Sequence, residues 1–327
     1  MRNIVFIVIL SIFVLFGCSG MSSTSNGGGL QLTQCDDVAD RGHLNLLTIN
    51  LLFSETETRN QRLDAIAQFV SDVPVDVILL QEVAGGALVG TANSAFDLQG
   101  KLRDRGYGYD LQTAFETGLP GFLAVANAVL TRCEIDFKMV KQLPKTSELE
   151  FKGHDIKLPR NVMMTRLYIP GFGKLSVYNT HLCAKCSAEE LGTQLETLLA
   201  FVGEAQAFDI QTNPVVLGGD FNIDRFRVTP FVEGVFYNKI IDAGFTDAYA
   251  QDRSLEDLCS NPAVTDEHCT VGVSTLDAGD SPRRIDYFFV KETGNILKSR
   301  VVFNNLVDES QQGVSDHAGV FVSIELP

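Results

Sequence analysis

Pro214–Asn222, PVVLGGDFN, sets a short aliphatic run against an abruptly polar end. Pro214 to Leu217 has the length and composition of a buried strand, and Gly218-Gly219-Asp220-Phe221-Asn222 follows where that strand must stop. The same arrangement recurs along the chain. His43–Asn50 (HLNLLTIN) reads as a strand ending in Asn50, and Val75–Leu80 as one ending in Gln81-Glu82. Leu175–Thr180 leads into His181, while Asp316-His317 precedes a closing strand over Gly319–Leu326. Phe122–Thr131, Val162–Ile169 and Ile285–Val290 complete the predicted strands.

Helical spacing separates several of them. Leu63, Ile66, Ala67 and Val70 form one apolar stripe over Asn60–Val70. Gly86–Arg105 is predicted as a helix closed by Gly106, and Phe231–Ala243 as another. Ser187-Ala-Glu-Glu190 fits a capping box ahead of Leu191, Leu195, Leu198 and Val202. Several strands adjoin with no helix between them, which favours mixed sheets over a purely parallel one.

The chain of 327 residues divides into three parts. Ile4–Phe16 is apolar apart from Ser11 and follows Arg2. It is shorter than the roughly 20 residues of a membrane-spanning helix, so residues 1–17 read as a signal peptide. Leu15-Phe16-Gly17-Cys18 resembles the lipobox of bacterial lipoproteins, which implies lipid on Cys18. Residues 18–42 then form the lipidated Cys and a flexible tether, Gly- and Ser-rich over Ser19–Leu30. Residues 43–327 form one domain, with no internal repeat or second linker. The expected location is exported and membrane-anchored, at the outer membrane or cell surface, with a periplasm-facing position as the alternative.

Composition narrows the partners. Formal net charge is −15, and removal of residues 1–17 takes away only Arg2, leaving −16. Such a surface repels polyanions and argues against non-specific nucleic-acid binding through basic patches, although a bound divalent cation reverses the local field at a site. Besides Cys18 the chain holds Cys35, Cys133, Cys183, Cys186, Cys259 and Cys269. An even set in an exported chain predicts disulfides. Short loops favour Cys183–Cys186 and Cys259–Cys269, which leaves Cys35–Cys133. Cys183-Ala-Lys-Cys186 lacks the second CxxC that a zinc ribbon requires.

The polar residues at strand ends suit hydrolysis of a phosphate ester. A hard divalent cation prefers carboxylate and carbonyl oxygens, which Glu82, Asn50 and Asp316 supply. Histidine titrates near neutrality and moves protons; His181 and His317 are the two candidates, with Asp286 able to orient one ring. Asp220 and Asn222, two apart on an extended segment, would face one side and position water or phosphoryl oxygens. His43, His154 and His268 lack such context and read as surface or loop residues.

Together these motifs resemble the endonuclease/exonuclease/phosphatase superfamily. Asn50 in LTINLL, Gln81-Glu82, Asn127–Arg132, Asn179-Thr-His-Leu182, Gly218–Asn222, Arg284-Ile-Asp-Tyr287 and Ser315-Asp-His317 occur in that family's order from about His43 to Pro327. The resemblance implies an α/β four-layer sandwich, two packed mixed β-sheets flanked by helices. It implies dependence on Mg²⁺ or Mn²⁺ with Glu82 as principal ligand, and a single principal metal. Some base-excision nucleases of the family carry an acid two after the Asn, where this chain has Leu52, and the single metal follows from that departure. By the same resemblance His317, paired with Asp286, is the general base, His181 is the general acid or a phosphate-stabilising group, and Arg160 is a phosphate contact.

The expected activity is therefore that of a secreted, lipid-anchored, monomeric phosphodiesterase that uses metal and His to drive attack of water. Nucleic acid is the favoured substrate. A sphingomyelinase-like phospholipase C is the alternative; such enzymes insert aromatics into the bilayer, and this chain has no Trp. A phosphomonoesterase or a scaffold that does not cut are further readings.

Overall fold

The computed structural model describes residues 35–119, 121–151, 154–208, 213–228, 231–254, 258–259, 267–276, 281–304 and 313–327. The chain divides into Met1–Leu30, which lies outside the described residues together with the leader and Cys18, and Gln31–Pro327. The second unit is built on two six-stranded mixed sheets.

The first sheet has the order β11-β12-β1-β2-β4-β3: β1 is His43–Asn50, β2 Val77–Gly85, β3 Asp110–Leu119, β4 Leu123–Thr131, β11 Ile296–Val302 and β12 Gly319–Glu325. The second runs β5-β6-β7-β8-β10-β9: β5 is Glu134–Phe151, β6 His154–Ile169, β7 Gly173–His181, β8 Val215–Asp220, β9 Thr246–Asp247 and β10 Asp286–Lys291. Among the described residues only β1/β2 and β7/β8 pair in parallel, each joined by a crossover helix. These helices are α2, Arg59–Asp72, and α4, Ala188–Ala207. The other two helices of the outer layers are α3, Ser94–Asp104, and α5, Gly234–Asp242.

Residue alternation explains the four layers. Leu44 and Leu46 of β1 and Val77 and Leu79 of β2 point between the sheets, where they meet Val177, Val216, Phe288 and Val290. The intervening Leu47, Ile49, Ile78 and Leu80 point outward onto Leu63, Ile66, Leu98 and Leu102 of α2 and α3. On the far side Tyr178, Leu217 and Phe289 pack against Leu191, Leu195 and Leu198 of α4 and Ile240 of α5. Strands buried on both faces read as the continuous aliphatic runs that mark them in sequence.

The Gly-Gly of the opening stretch serves this packing. A Cβ on Gly218 would lie 2.7 Å from Leu79 of the opposite sheet and 2.6 Å from Phe288. Gly219 has φ +130°, and a Cβ there would lie 2.0 Å from the Thr180 carbonyl oxygen of β7. Glycine alone permits both approaches.

Among the breaks in strand register, three sit at polar residues beside one another in the fold. Gln81 and Glu82 together face one residue of β4, because the register passes from Leu80↔Ala128 to Val83↔Ala126. Glu116 is the extra residue between Phe115 and Thr117 of β3. Arg160 sits where the β5/β6 register jumps from Gln142↔Asn161 to Thr146↔Pro159. Such bulges re-aim side chains and leave backbone groups unpaired. Beside the first bulge two carbonyls are reached from the other sheet: Asn179 of β7 donates Nδ2 to Leu80 O at 2.9 Å and Ala128 O at 2.8 Å. Its Oδ1 accepts from Gln81 Nε2 at 2.7 Å.

Several sequence expectations require correction. The helix predicted over Gly86–Arg105 begins only at Ser94, because Asn93 caps it by accepting from Ala95 N and Phe96 N; Ala87–Val89 forms a single 3₁₀ turn instead. The folded body begins before residue 43, since Asp36–Arg41 forms α1. His154 opens β6 rather than a loop, whereas His268 lies in a turn, where it bonds Tyr249 Oη at 2.6 Å. Strands β3, β5, β9 and β11 were not predicted. The capping box is present, with Glu190 N–H donating to Ser187 Oγ and Ser187 N–H to Glu190 Oε2. Disulfides join Cys35 to Cys133, Cys183 to Cys186 and Cys259 to Cys269. No helix among the described residues is long and apolar enough to cross a membrane.

Two stability experiments follow. Cys35–Cys133 spans 98 residues, so replacing both by Ser is expected to cost about 2–5 kcal/mol in urea unfolding. Asn179→Leu keeps similar bulk but removes two buried donated bonds and the acceptor of Gln81, and is expected to cost about 2–4 kcal/mol. A loss of about 0.5 kcal/mol, the scatter of surface substitutions, would show that the cross-sheet amide is dispensable.

Candidate active site

The carboxyl ends of both parallel pairs lie together, with Asn50 beside Gln81 in one sheet and His181 beside Asp220 in the other. Asp220 is the hub. It is buried, and its Oδ2 accepts from Asn50 Nδ2 of the opposite sheet at 3.1 Å. The same oxygen lies 3.3 Å from His181 Nε2 and 3.9 Å from His317 Nε2. Asp286 stands directly beside it on β10. Burial and then the charge of Asp286 raise the Asp220 carboxyl to about 7, against the pull of His317, Asn50 and the Asn222 N–H.

The two histidines differ in proton state. Arg160 Nη1 lies 2.9 Å from His181 Nδ1. A guanidinium only donates, so Nδ1 accepts and the ring hydrogen sits on Nε2, toward Asp220. Burial, Arg160 and His317 push the His181 pKa well below its ordinary value, and the ring is neutral. His317 is opposite. Burial disfavours its charge, but Asp286 and Asp220 outweigh burial and hold it well above the ordinary value. Asp286 Oδ2 accepts from His317 Nδ1 at 2.9 Å.

Glu82 reaches the site through its bulge. Continued alternation would turn it outward with Ile78 and Leu80, but Val83 occupies that face instead. Glu82 takes φ +54°, and its Oε2 accepts from Phe53 N–H at 3.1 Å. Burial and the like charge of Asp316 raise its pKa, while Arg160, Phe53 N–H and His317 oppose. Two carboxylates that feel each other's charge, with Asn50 Oδ1 accepting from Leu52 N–H at 3.0 Å, are a hard oxygen donor set that fits a divalent cation. A second corner could also hold a cation. Ligand atoms of Asp220, Asp286 and His317 lie within 4.8 Å of one another, and Asp286 Oδ1 is buried without a hydrogen-bond partner.

Every site residue expected from sequence is therefore brought to one place except Cys18, which lies outside the described residues. Two sit differently from expectation. Asn222 is not extended: at φ +50° its N–H donates to Asp220 Oδ1 at 3.0 Å, and its Nδ2 turns away to Leu182 O at 3.0 Å. Arg160 is 2 % exposed and held between His181 and Glu116, with Nε buried and unpaired.

Glu116 itself was missed. Its Oε2 lies 3.4 Å from Arg160 Nη1, and its Oε1 accepts from Asn127 Nδ2 at 3.0 Å. Burial lifts its carboxyl to about 7, with Glu82 adding to the rise and Arg160 opposing it. The available signal was an acid inside the strand-length run Asp110–Leu119, which had not been read as a strand. Asn179 enters the sequence reading only as part of the Asn-Thr-His-Leu motif.

Comparison with known proteins supports one family. Comparison with curated protein sequences gives no match. Among solved structures, an endonuclease/exonuclease/phosphatase family protein from Leptotrichia buccalis is 23 % identical, with TM-score 0.62 over 86 % of this chain and 100 % of that one. A mannosyl-6-phosphatase from Bacteroides thetaiotaomicron is 20 % identical, with TM-score 0.59 over 86 % and 99 %. Truncated Caenorhabditis elegans TDP2 is 18 % identical, with TM-score 0.55 over 86 % and 97 %. These likenesses establish a shared fold. Residues 47–317 match the sequence model of the Endonuclease/Exonuclease/phosphatase family, and the chain belongs to that family of phosphoester hydrolases.

Proposed function

We propose that the protein is an exported phosphodiesterase, dependent on Mg²⁺ or Mn²⁺, that cuts nucleic acid and is tethered by lipid on Cys18. The observation that carries the catalytic reading is the pair of rings around Asp220, one neutral and one charged, beside a cluster of acids. Glu82 and Asp316, with Asn50, would hold the cation, which when bound neutralises phosphoryl oxygens and activates water. His317 carries the proton that moves at Nε2, and Asp286 fixes the ring through Nδ1. His181, whose Nδ1 is occupied by Arg160, can only donate from Nε2, which suits holding a phosphoryl oxygen. Three disulfides support an oxidising compartment, and the apolar leader ending at Cys18 supports export and anchoring.

A second reading is a phosphomonoesterase for a small substrate. Net charge of −15 favours it, since a long polyanion meets repulsion over most of the surface. The mannosyl-6-phosphatase neighbour supports the same reading by fold alone.

The test is a panel of plasmid DNA, RNA, sphingomyelin liposomes, sugar phosphates and bis(p-nitrophenyl) phosphate with Mg²⁺ or Mn²⁺. DNA or RNA cleavage, abolished by EDTA, is expected. Intact nucleic acid with inorganic phosphate released from the sugar phosphates would replace this reading by the second. His317→Ala is expected to lower kcat by about 10²–10⁴-fold with an unchanged circular dichroism spectrum. Glu82→Gln removes one of two opposed charges. Its melting temperature without cation is expected to equal or exceed that of the native protein, and Mn²⁺, which raises the native value, should leave the variant unmoved. A variant still stabilised by Mn²⁺ would move the cation to the Asp220–Asp286–His317 corner.

A further inference from the structure

The loops that deliver the acids are held by a side chain that no step of the proposed chemistry touches. Arg62, in the first turn of α2, is 1 % exposed. Its Nη1 donates to Leu51 O at 2.8 Å and to Val314 O at 2.7 Å. Nη2 donates to Glu55 O at 2.7 Å and Leu52 O at 3.4 Å, and Nε to Glu55 Oε2 at 3.1 Å. One guanidinium thus joins the loop after β1 to the loop before β12, the second contact lying 252 residues from Arg62 in sequence.

Each loop carries part of the acidic cluster. In the first, Leu52 N–H fixes Asn50 Oδ1 and Phe53 N–H fixes Glu82 Oε2. The second holds Asp316 and His317 only two and three positions beyond Val314. Backbone carbonyls are obligatory acceptors, and a planar fork satisfies several in fixed directions where an ammonium cannot. Glu55 completes the clasp by accepting from Thr58 N and Thr58 Oγ1, which ties it to the start of the same helix.

We infer that Arg62 is a positioning residue that sets the separation of Glu82 and Asn50 from Asp316, and so the divalent-cation affinity of the site. The inference rests on the metal-dependent reading above. Groups that orient metal ligands from behind typically change affinity by about 10–100-fold when lost.

Arg62→Lys and Arg62→Met, purified as full-length chains, test it by titration calorimetry with Mn²⁺ alone and by kinetics against Mn²⁺ concentration. The expected result is an Mn²⁺ dissociation constant raised about tenfold or more in folded Arg62→Lys, with the same shift in half-activating Mn²⁺. At saturating Mn²⁺, kcat should recover toward the native value. A role confined to stability predicts instead a lower melting temperature with native Mn²⁺ affinity, and that outcome overturns the inference. Failure of both variants to fold would make Arg62 a folding residue and overturn it equally. If the native protein itself neither binds Mn²⁺ nor hydrolyses any phosphoester, the functional reading fails rather than the role of Arg62.

Discussion

The carboxamide of Asn179 crosses between two sheets whose shared core is largely apolar, alongside the polar bridges Asn50–Asp220, Asn127–Asn161 and Arg160–Glu116. Hydrophobic contact is non-directional, so Leu79, Val177, Val216 and Phe288 hold the layers together without fixing their offset to a fraction of an ångström. Asn179 supplies that direction. Its two amide hydrogens reach Leu80 O and Ala128 O, the carbonyls of the last ladder pair before the bulge in β2. Unpaired in a dry interior, each would cost about 1–3 kcal/mol. The bulge and the cross-sheet bond therefore support each other, and the orientation of Glu82 depends on both.

Asp220 shows how a site can draw its electrostatics from both layers. Asn50 and His317 approach it from the first sheet and its adjoining loop, His181 and Asp286 from the second. Because burial strengthens charge interactions, small differences in partner decide protonation. A donor on one ring and an acceptor on the other leave His181 neutral and His317 charged, although both face the same oxygen. Arg160 extends the connection to Glu116, so the ion-pairing network runs from β3 of one sheet to β10 of the other.

Much of this was legible in the sequence, for a physical reason. Residues at the carboxyl end of a buried strand are exposed to the site whatever the details of packing, and Asn50, His181 and Asp220 follow that rule. What periodicity could not show is where a ladder slips. Glu116 and the true aim of Glu82 depend on bulges, whose extra residue leaves no mark in hydrophobicity. Gly86–Arg105 misled because its apolar residues before Asn93 line a loop rather than a helix face. Asn222 misled because a left-handed residue breaks the two-residue alternation. α1 escaped because its anchor to the body is a disulfide and the buried Asp76, which pairs with Arg41 and Arg132.

The bulge at Gln81-Glu82 acts as a change of phase in a two-beat pattern. Upstream, Val77 and Leu79 face the partner sheet and Ile78 and Leu80 the helices; downstream, Val83 takes the helix side, so odd and even positions exchange faces. Losing one residue there would not remove a side chain so much as reassign every later one, sending apolar groups to the site and polar groups under the helices. Length at this point is thus constrained more tightly than composition. Family members should tolerate exchange of letters along β2 far better than a single insertion or deletion within it.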